Sequence, residues 1–302
     1  MKYNQPSLVS NPYIKHYLLE MRIINQSPTT IRVKRLMLNR FNEWCNERDI
    51  DLLDVSSLDI KEWITEKQGK IKASTINSNI KYLRSFYEFL VNEGEIKKSP
   101  MEKIKLLKQD VVKIKTYSKN GVKKMLNYYR NDTFIGARNR LILLLLASTG
   151  MRNMSLRDIR LSDIKDDYMT IRAKGNKEYI VPLALMVQKQ ILIYLKRRNQ
   201  LSKSEKTDHL IISYRGTGVG EKLIVRVVQE AGKNCGISED LTCHQFRRWF
   251  AQSLIADGVS VYEVSRLLNH SNISTTQLYL NSMQDESIVN KANKHNPINN
   301  LF

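Results

Sequence analysis

The sequence predicts a mainly α-helical protein of two domains, a helical N-terminal domain and an α+β domain with a small antiparallel β-sheet. Apolar residues recur at helical spacing through most of the chain. A lysine-rich stretch with a Ser99-Pro100 break interrupts that pattern near residue 100. One pair of β-rich segments flanks a glycine-containing turn. The 302 residues are enough for two domains of roughly 100 to 200 residues each.

The N-terminal domain, residues 1–108, is predicted to contain four helices. Proline is favoured in a first helical turn, so Ser27-Pro28 marks the start of the second helix. Glycine is favoured just past a helix end, so Gly94 marks the end of the fourth. The predicted helices are Pro12–Met21, Ser27–Glu47, Leu58–Glu66 and Ser74–Val91.

Basic residues predict a polyanionic partner. The chain has 49 Lys and Arg against 30 Asp and Glu, a net charge of +19. Lys67, Lys70 and Lys72 lie in a short loop between the third and fourth helices, where we expect them to contact phosphate. A solvated lysine loop explains them equally well. Residues 109–117 are a basic linker, which suits either a clamp that closes around a duplex or a soluble tether.

Several classes of protein are excluded by the sequence. Cys45, Cys235 and Cys243 are odd in number and lack metal-ligand spacing, so we expect reduced thiols in a cytoplasmic protein and no metal site. The longest apolar run, Leu141–Ala147, is far shorter than a membrane span, and the N-terminus lacks a signal region. No phosphate-binding GxxxxGK[ST] loop is present, so we expect no nucleotide or other cofactor.

The second domain, residues 118–302, is predicted to fold around one apolar helix, Arg138–Ser148. This helix must lie in the core because it has no polar face. That helix ends at Gly150, and Arg152 follows at once. The two β-rich segments form a hairpin whose turn is Lys174-Gly175-Asn176-Lys177. Its strands are Tyr168–Ala173 and Tyr179–Leu183, and the helices that follow are Ala184–Asn199 and Gly220–Ala231.

Three further helices are predicted between Thr242 and Tyr279. Each opens with a capping pair: Thr242 with Gln245, Ser260 with Glu263, and Ser274 with Gln277. In the first of them, His244, Arg247 and Arg248 share a face opposite the aromatic residues, which predicts an exposed cationic ridge. His270 falls just after the second helix, and Tyr279 falls in the second turn of the third.

These residues match the needs of metal-free phosphodiester transfer. A phenol such as Tyr279 can form a reversible phosphoester. The guanidinium groups of Arg152 and Arg247 stay charged and bind phosphate oxygens in a bidentate way.

The remaining three residues could transfer protons. Lys174 could protonate the departing 5′-oxygen, His244 could accept the tyrosine proton, and His270 could donate to a phosphate oxygen. Each residue is weak evidence alone, since the chain has 14 tyrosines and an HxxR pair is usually a solvated helix face. The ordered set of six is specific.

These motifs resemble those of the tyrosine recombinase (phage integrase) family, most closely its short Xer-type members, over nearly the whole chain. STGMRNMSLRDIRLSDI is similar to the first arginine motif, AKGNKEYIVPL to the β-hairpin motif, HQFRRWFAQSL to HxLRH, and LLNHSNISTTQLYL to LGHxxxxTTxxY. The resemblance implies a catalytic set of Arg152, Lys174, His244, Arg247, His270 and the nucleophile Tyr279. Lys177 and Arg248 join the three loop lysines as candidate DNA contacts.

The sequence departs from the family pattern at three positions. Ser155 stands where a glutamate is usual, Arg248 where a second histidine is common, and Asn269 where a glycine precedes the histidine. None of these departures removes a reacting group.

The resemblance implies a SAM-like, core-binding N-terminal domain and a catalytic domain of the tyrosine recombinase type. It also implies a C-shaped clamp on double-stranded DNA and a homotetramer on two DNA sites that exchanges strands through a Holliday junction. The tail after Tyr279 would dock on a neighbouring protomer. Dimer resolution of the Xer type and mobile-element integration, excision or resolution both fit. The alternatives are a type IB-like DNA topoisomerase and a non-catalytic DNA-binding regulator of the same fold.

Overall fold

The computed structural model describes residues 11–108, 116–173, 177–201, 207–270, 272–273 and 275–277. The chain divides into two compact units, Met1–Val111 and Val112–Phe302. The first is helical and the second combines helices with a two-stranded antiparallel sheet, so the predicted fold class is confirmed. The domain boundaries at residues 108 and 118 remain predictions, because residues 109–115 of the linker lie outside the described residues.

The first unit is built from four helices close to the predicted ones. Side-chain caps start the first three, with Asn11, Ser27 and Ser56 accepting hydrogen bonds from the first turns. Buried aromatic residues, Phe41, Trp63 and Phe86 among them, fill the core between the helices. The helices are α1 (Pro12–Ile23), α2 (Pro28–Asn46), α3 (Ser57–Lys67) and α4 (Ala73–Asn92).

The lysine-rich segment after α4 packs on this unit rather than away from it. Met101 and Ile104 are buried in the helical core. The Asn77 side chain accepts a hydrogen bond from the Leu107 backbone N–H at 2.8 Å and donates to the Leu107 carbonyl at 2.9 Å. The chain up to residue 107 therefore belongs to the first unit.

The second unit surrounds the predicted apolar helix. This helix, α6 (Phe134–Thr149), has almost every side chain buried, and it packs against several helices of the unit. The helices around it are α5 (Lys119–Tyr128), α7 (Asn153–Asp158), α8 (Leu185–Asn199), α9 (Glu221–Asn234), α10 (Cys243–Ala256) and α11 (Val261–Leu267). The sequence did not predict α5 or α7, because one is lysine-rich and the other has only six residues.

The hairpin pairs β1 (Tyr168–Ala173) with β2 (Lys177–Pro182). Its register pairs Ala173 with Lys177, so the second strand begins at Lys177, before the predicted start at Tyr179. The β propensity of the segment after the turn is weak at its charged start, which hid this extension of the strand. Residues 174–176 lie outside the described residues.

The described residues contain no helix long and apolar enough to span a membrane. Within the same residues, no group of three or more His, Cys, Asp or Glu side chains could hold a metal ion. Cys45, Cys235 and Cys243 are free thiols.

Candidate active site

The site begins at the C-terminal end of α6. Gly150 adopts a left-handed backbone conformation, with φ 59°, and its N–H donates to the Leu146 carbonyl at 3.1 Å. A Cβ at this position would lie 2.7 Å from Phe250 and 2.9 Å from Leu268. Only glycine therefore fits, and the reversal places Arg152 at the N-cap of α7 with its side chain exposed.

The end of α11 forms a second, similar reversal. Asn269 is left-handed, with φ 49°. Its N–H donates to the Arg266 carbonyl at 2.9 Å, and the His270 N–H donates to the Ser265 carbonyl at 3.0 Å, which is the Schellman pattern. Asparagine is the residue besides glycine that best tolerates this conformation, which explains why Asn269 can stand where the family has glycine. His270 is fixed by the backbone that precedes it.

Arg247 links the two reversals. Its guanidinium donates from Nη1 to the Gly150 carbonyl at 2.9 Å and from Nη2 to the Leu268 carbonyl at 2.6 Å. Its side chain is only 2% exposed, so the predicted exposed ridge is wrong at this position. Periodicity within α10 could not reveal that the ends of α6 and α11 cover the residue. Partial negative charge at helix C-termini stabilises a buried cation there.

Arg152 contacts the same short segment as Arg247. Both of its terminal nitrogens lie 3.5 Å from the Asn269 carbonyl oxygen, and its side chain stays exposed. The two arginines therefore bind consecutive carbonyls, those of Leu268 and Asn269, directly before His270. Among the described residues no carboxylate forms an ion pair with Arg152.

His270 is half-buried and surrounded by positive charge. Burial, followed in importance by the charges of Arg247, Arg152 and His244, lowers its pKa to about 4. Its Nδ1 lies 2.7 Å from the hydroxyl oxygen of Thr276. The imidazole is therefore neutral near pH 7 and has one ring nitrogen hydrogen-bonded.

His244 lies in the first turn of α10 beside the same arginines. Loss of hydration lowers its pKa, and Arg248, Arg247 and Arg152 lower it further. Its side chain is exposed, so water screens the charges of these arginines more strongly than at the half-buried His270. Arg248 is only partly exposed, and its buried Nε has no hydrogen-bond partner among the described residues.

Tyr179 is a residue of the site that the sequence did not predict. Burial raises the pKa of its phenol, and Arg247, Ser155 and Arg152 oppose that rise. The hydroxyl is buried beside Ser155 without a hydrogen bond of normal geometry to any described residue. Tyr179 lies on the same face of β2 as the buried Val181, and this strand periodicity was the available signal.

The other predicted residues are not brought into this cluster by the described structure. Lys174 and Tyr279 lie outside the described residues, as does the Lys177 side chain. In the first unit, Lys67 ends α3 with its Nζ 5.6 Å from the Trp63 ring centroid, while Lys70 and Lys72 are exposed. Arg152, His244, Arg247 and His270 are the predicted residues that the structure places together.

The four residues form a cationic cluster whose chemistry suits an anion. Two guanidinium groups supply fixed positive charge, and two neutral imidazoles can donate or accept a proton. This combination suits a phosphate group that gains negative charge during a reaction.

Comparison with known proteins shows the family of the chain. Residues 115–286, more than half of the chain, match the model of the phage integrase family, and residues 14–94 match the N-terminal SAM-like domain of phage integrases. The chain belongs to the phage integrase family. Members of this family, the tyrosine recombinases, are enzymes that cut and rejoin DNA at specific sites, so the prediction of a DNA strand-transfer enzyme is confirmed.

Known recombinases are similar to most of the chain. A tyrosine recombinase XerC of Listeria innocua is 30% identical over 267 residues, which cover 86% of this chain and 89% of that protein. A tyrosine recombinase XerC of Thermodesulfovibrio yellowstonii is 28% identical over 275 residues, covering 88% and 90%. The Xer-like assignment made from the motifs is confirmed by these relatives.

Solved recombinases share the fold. The site-specific recombinase XerH bound to a palindromic difH substrate, in a post-cleavage complex, matches with a TM-score of 0.76 at 17% identity, over 95% of this chain and 90% of that one. A lambda integrase tetramer bound to a Holliday junction matches with a TM-score of 0.70 at 18% identity, covering 88% and 76%.

Replacement of Gly150 should destabilise the second unit through left-handed backbone strain and through a steric clash. A comparison with Gly236 separates these two effects. Gly236→Ala introduces left-handed strain alone, since Gly236 has φ 67° and open space around it, and should cost about 1 kcal/mol. Gly150→Ala adds the clash with Phe250 and Leu268 and should cost roughly 1–3 kcal/mol more. Thermal unfolding of the two variants measures the difference. Equal losses would show that α10 and α11 do not pack closely on this turn.

The neutral state of His270 should make stability depend on pH. The unfolded chain binds the imidazole proton near the ordinary pKa of about 6.5, whereas the folded site stays neutral down to about pH 4. The unfolded state binds more protons between these values, so stability should fall as the pH is lowered through that window.

The measurement is thermal unfolding between about pH 4.5 and about pH 7.5, a range that covers this window. His270→Gln should lose less stability on acidification than the wild type. A His270→Gln variant with the full wild-type loss would contradict the low pKa.

Proposed function

We propose that this recombinase cleaves and rejoins double-stranded DNA through a covalent 3′-phosphotyrosine on Tyr279. The observation that carries the proposal is the convergence of Arg152, Arg247, His244 and His270 around one short backbone segment. Residues that are far apart in the sequence meet there, and their chemistry fits a phosphodiester. Tyr279 follows His270 by nine positions in the chain.

The reaction needs neither metal nor nucleotide in this proposal. The Tyr279 oxygen attacks the scissile phosphorus, the bond from phosphorus to the 5′-oxygen breaks, and a phosphotyrosine forms on the 3′ side. His244 accepts the phenolic proton, for which a neutral imidazole with a lowered pKa is suited. Lys174 donates a proton to the departing 5′-oxygen, and rejoining reverses these steps.

The arginines and His270 stabilise the charge on the phosphorane. Arg247 acts from a fixed position because two backbone carbonyls orient its guanidinium. Arg152 is exposed and can reach a second oxygen with its planar group. His270 donates from an imidazole, and such preorganised donors are worth several kcal/mol in comparable sites, on the order of 10² to 10³ in rate each.

The assembly we propose is a homotetramer on two DNA sites that exchanges strands through a Holliday junction. The solved lambda integrase tetramer bound to a Holliday junction is a complex of this kind in another recombinase. The tail after Tyr279, which lies outside the described residues, would dock on a neighbouring protomer and couple the active sites. DNA as the substrate implies that the enzyme works in the cytoplasm.

Similarity over most of the chain to proteins named XerC favours the Xer-like role over that of a mobile-element integrase.

An assay distinguishes recombination from the alternative of a type IB-like topoisomerase. Recombination needs two paired sites and exchanges the flanking DNA, whereas relaxation acts on one supercoiled duplex without a specific site. A regulator without catalysis would bind DNA and form no covalent adduct.

Tyr279→Phe should abolish the covalent adduct with a nicked suicide substrate, because only the phenolic oxygen is removed, and should leave DNA binding unchanged. Tyr262→Phe is the matched control, since Tyr262 is an exposed tyrosine of α11 and should form the adduct normally. Denaturing gel electrophoresis of labelled DNA measures the adduct. An adduct in the Tyr279→Phe variant would assign the nucleophile to another residue.

Lys70 and Lys72 should contribute to DNA affinity through phosphate contacts. The logarithm of the binding constant should fall linearly with the logarithm of salt concentration. The double variant Lys70→Gln/Lys72→Gln should reduce that slope by roughly 1 for each lysine. Lys98→Gln is the control, because Lys98 is already paired with Glu102 at 3.3 Å and its loss should change the slope little. A slope unaltered by the double substitution would remove this loop from the DNA interface.

A further inference from the structure

We propose that Thr276 is a positioning residue that holds His270 in the tautomer with its proton on Nε2. The inference rests on the proposed function, in which His270 donates a proton or hydrogen bond to a phosphate oxygen. It adds a residue to the reaction that none of the roles assigned above includes.

The two side chains meet in a fixed geometry. The Thr276 Oγ1 and the His270 Nδ1 are 2.7 Å apart. Thr276 is completely buried, and its backbone N–H donates to the Ile273 carbonyl at 2.8 Å. The His270 backbone is fixed at the end of α11 by its bond to Ser265. Both backbones are therefore held in place, and the 2.7 Å contact joins their side chains.

The direction of the hydrogen bond follows from what a buried hydroxyl requires. If the imidazole donated from Nδ1, the hydroxyl proton of Thr276 would need a different acceptor. Among the described residues the imidazole is the only side-chain or backbone partner of that hydroxyl. An unsatisfied buried donor is unfavourable, so the hydroxyl donates and Nδ1 accepts.

A neutral imidazole whose Nδ1 accepts must carry its proton on Nε2. The ring is neutral near pH 7 because burial and the two arginines lower its pKa to about 4. The hydroxyl of Thr276 therefore turns a ring with two possible tautomers into a donor at Nε2. That is the form which can donate to a phosphate oxygen.

The neighbouring residue Thr275 provides a matched control. Thr275 and Thr276 follow each other in one helical turn, but Thr275 is exposed and Thr276 is buried. Thr276→Val removes the hydroxyl at nearly constant volume, Thr276→Ser keeps it, and Thr275→Val removes an exposed hydroxyl.

The first experiment records the ring nitrogen chemical shifts of ¹⁵N-histidine in the free full-length protein near pH 7. The chain has 5 histidines, and His270→Gln identifies the signals of His270. Wild type, Thr276→Ser and Thr275→Val should show a protonated Nε2 and an unprotonated Nδ1. Thr276→Val should show a mixture of tautomers. A proton on Nδ1 in the wild type, or identical shifts in Thr276→Val, would overturn the proposal.

The second experiment measures the rate of adduct formation on a nicked suicide substrate at saturating DNA. Thr276→Val should slow it roughly tenfold, the loss expected for one hydrogen bond, with unchanged DNA affinity. Thr276→Ser should restore the rate and Thr275→Val should leave it unaltered. A normal rate in a Thr276→Val variant whose tautomer has changed would overturn the role of Thr276 in the reaction.

The two experiments separate this inference from the function on which it rests. A wild-type protein that forms no adduct would refute the proposed function, while the tautomer of His270 could still be measured without DNA. Melting temperatures of the variants exclude unfolding as the cause of a changed spectrum.

Discussion

The candidate active site depends on the hydrogen bonds of the buried Arg247 guanidinium. A cation that is 2% exposed is tolerated only where acceptors compensate for its lost hydration. Here the Gly150 and Leu268 carbonyls do so, at the ends of two different helices. The same two bonds fix the spacing between the helix ends, and with it the spacing between Arg152 and His270. A lysine could not replace this link, because a single ammonium lacks the planar fork that reaches both carbonyls.

The two helix ends solve one geometric problem with different residues. At each helix end the backbone reverses through a residue in the left-handed conformation, and a site residue follows within two positions. At Gly150 the close approach of Phe250 and Leu268 leaves no space for a Cβ. Asn269 is partly exposed and retains a side chain at φ 49°. The site therefore tolerates a departure from the family pattern at one reversal and would resist it at the other.

Much of this architecture could be predicted from the sequence, because local signals specify it. The apolar run of α6, the caps at Ser27 and Ser260, and the β-rich segments each define an element without reference to distant residues. The burial of Arg247 could not be predicted, since the residues that cover it come from helices 97 and 21 positions away. Tyr179 and Thr276 were missed for a related reason. A tyrosine in a strand has no distinctive pattern until the fold places arginines beside it. Thr276 belongs to the threonine pair of the last family motif, but its contact is apparent only once the fold places an imidazole beside it.

The charge balance of the site links its resting state to its substrate. Two arginines favour the neutral form of the neighbouring imidazoles in the free protein, because a further positive charge there is unfavourable. In the proposed reaction a bound phosphodiester would bring a negative charge into the same space and oppose that effect. Arg152 and Arg247 would then have two roles. They would attract the phosphate, and they hold the imidazoles in the neutral form, in which His244 can accept a proton and His270 can donate from Nε2.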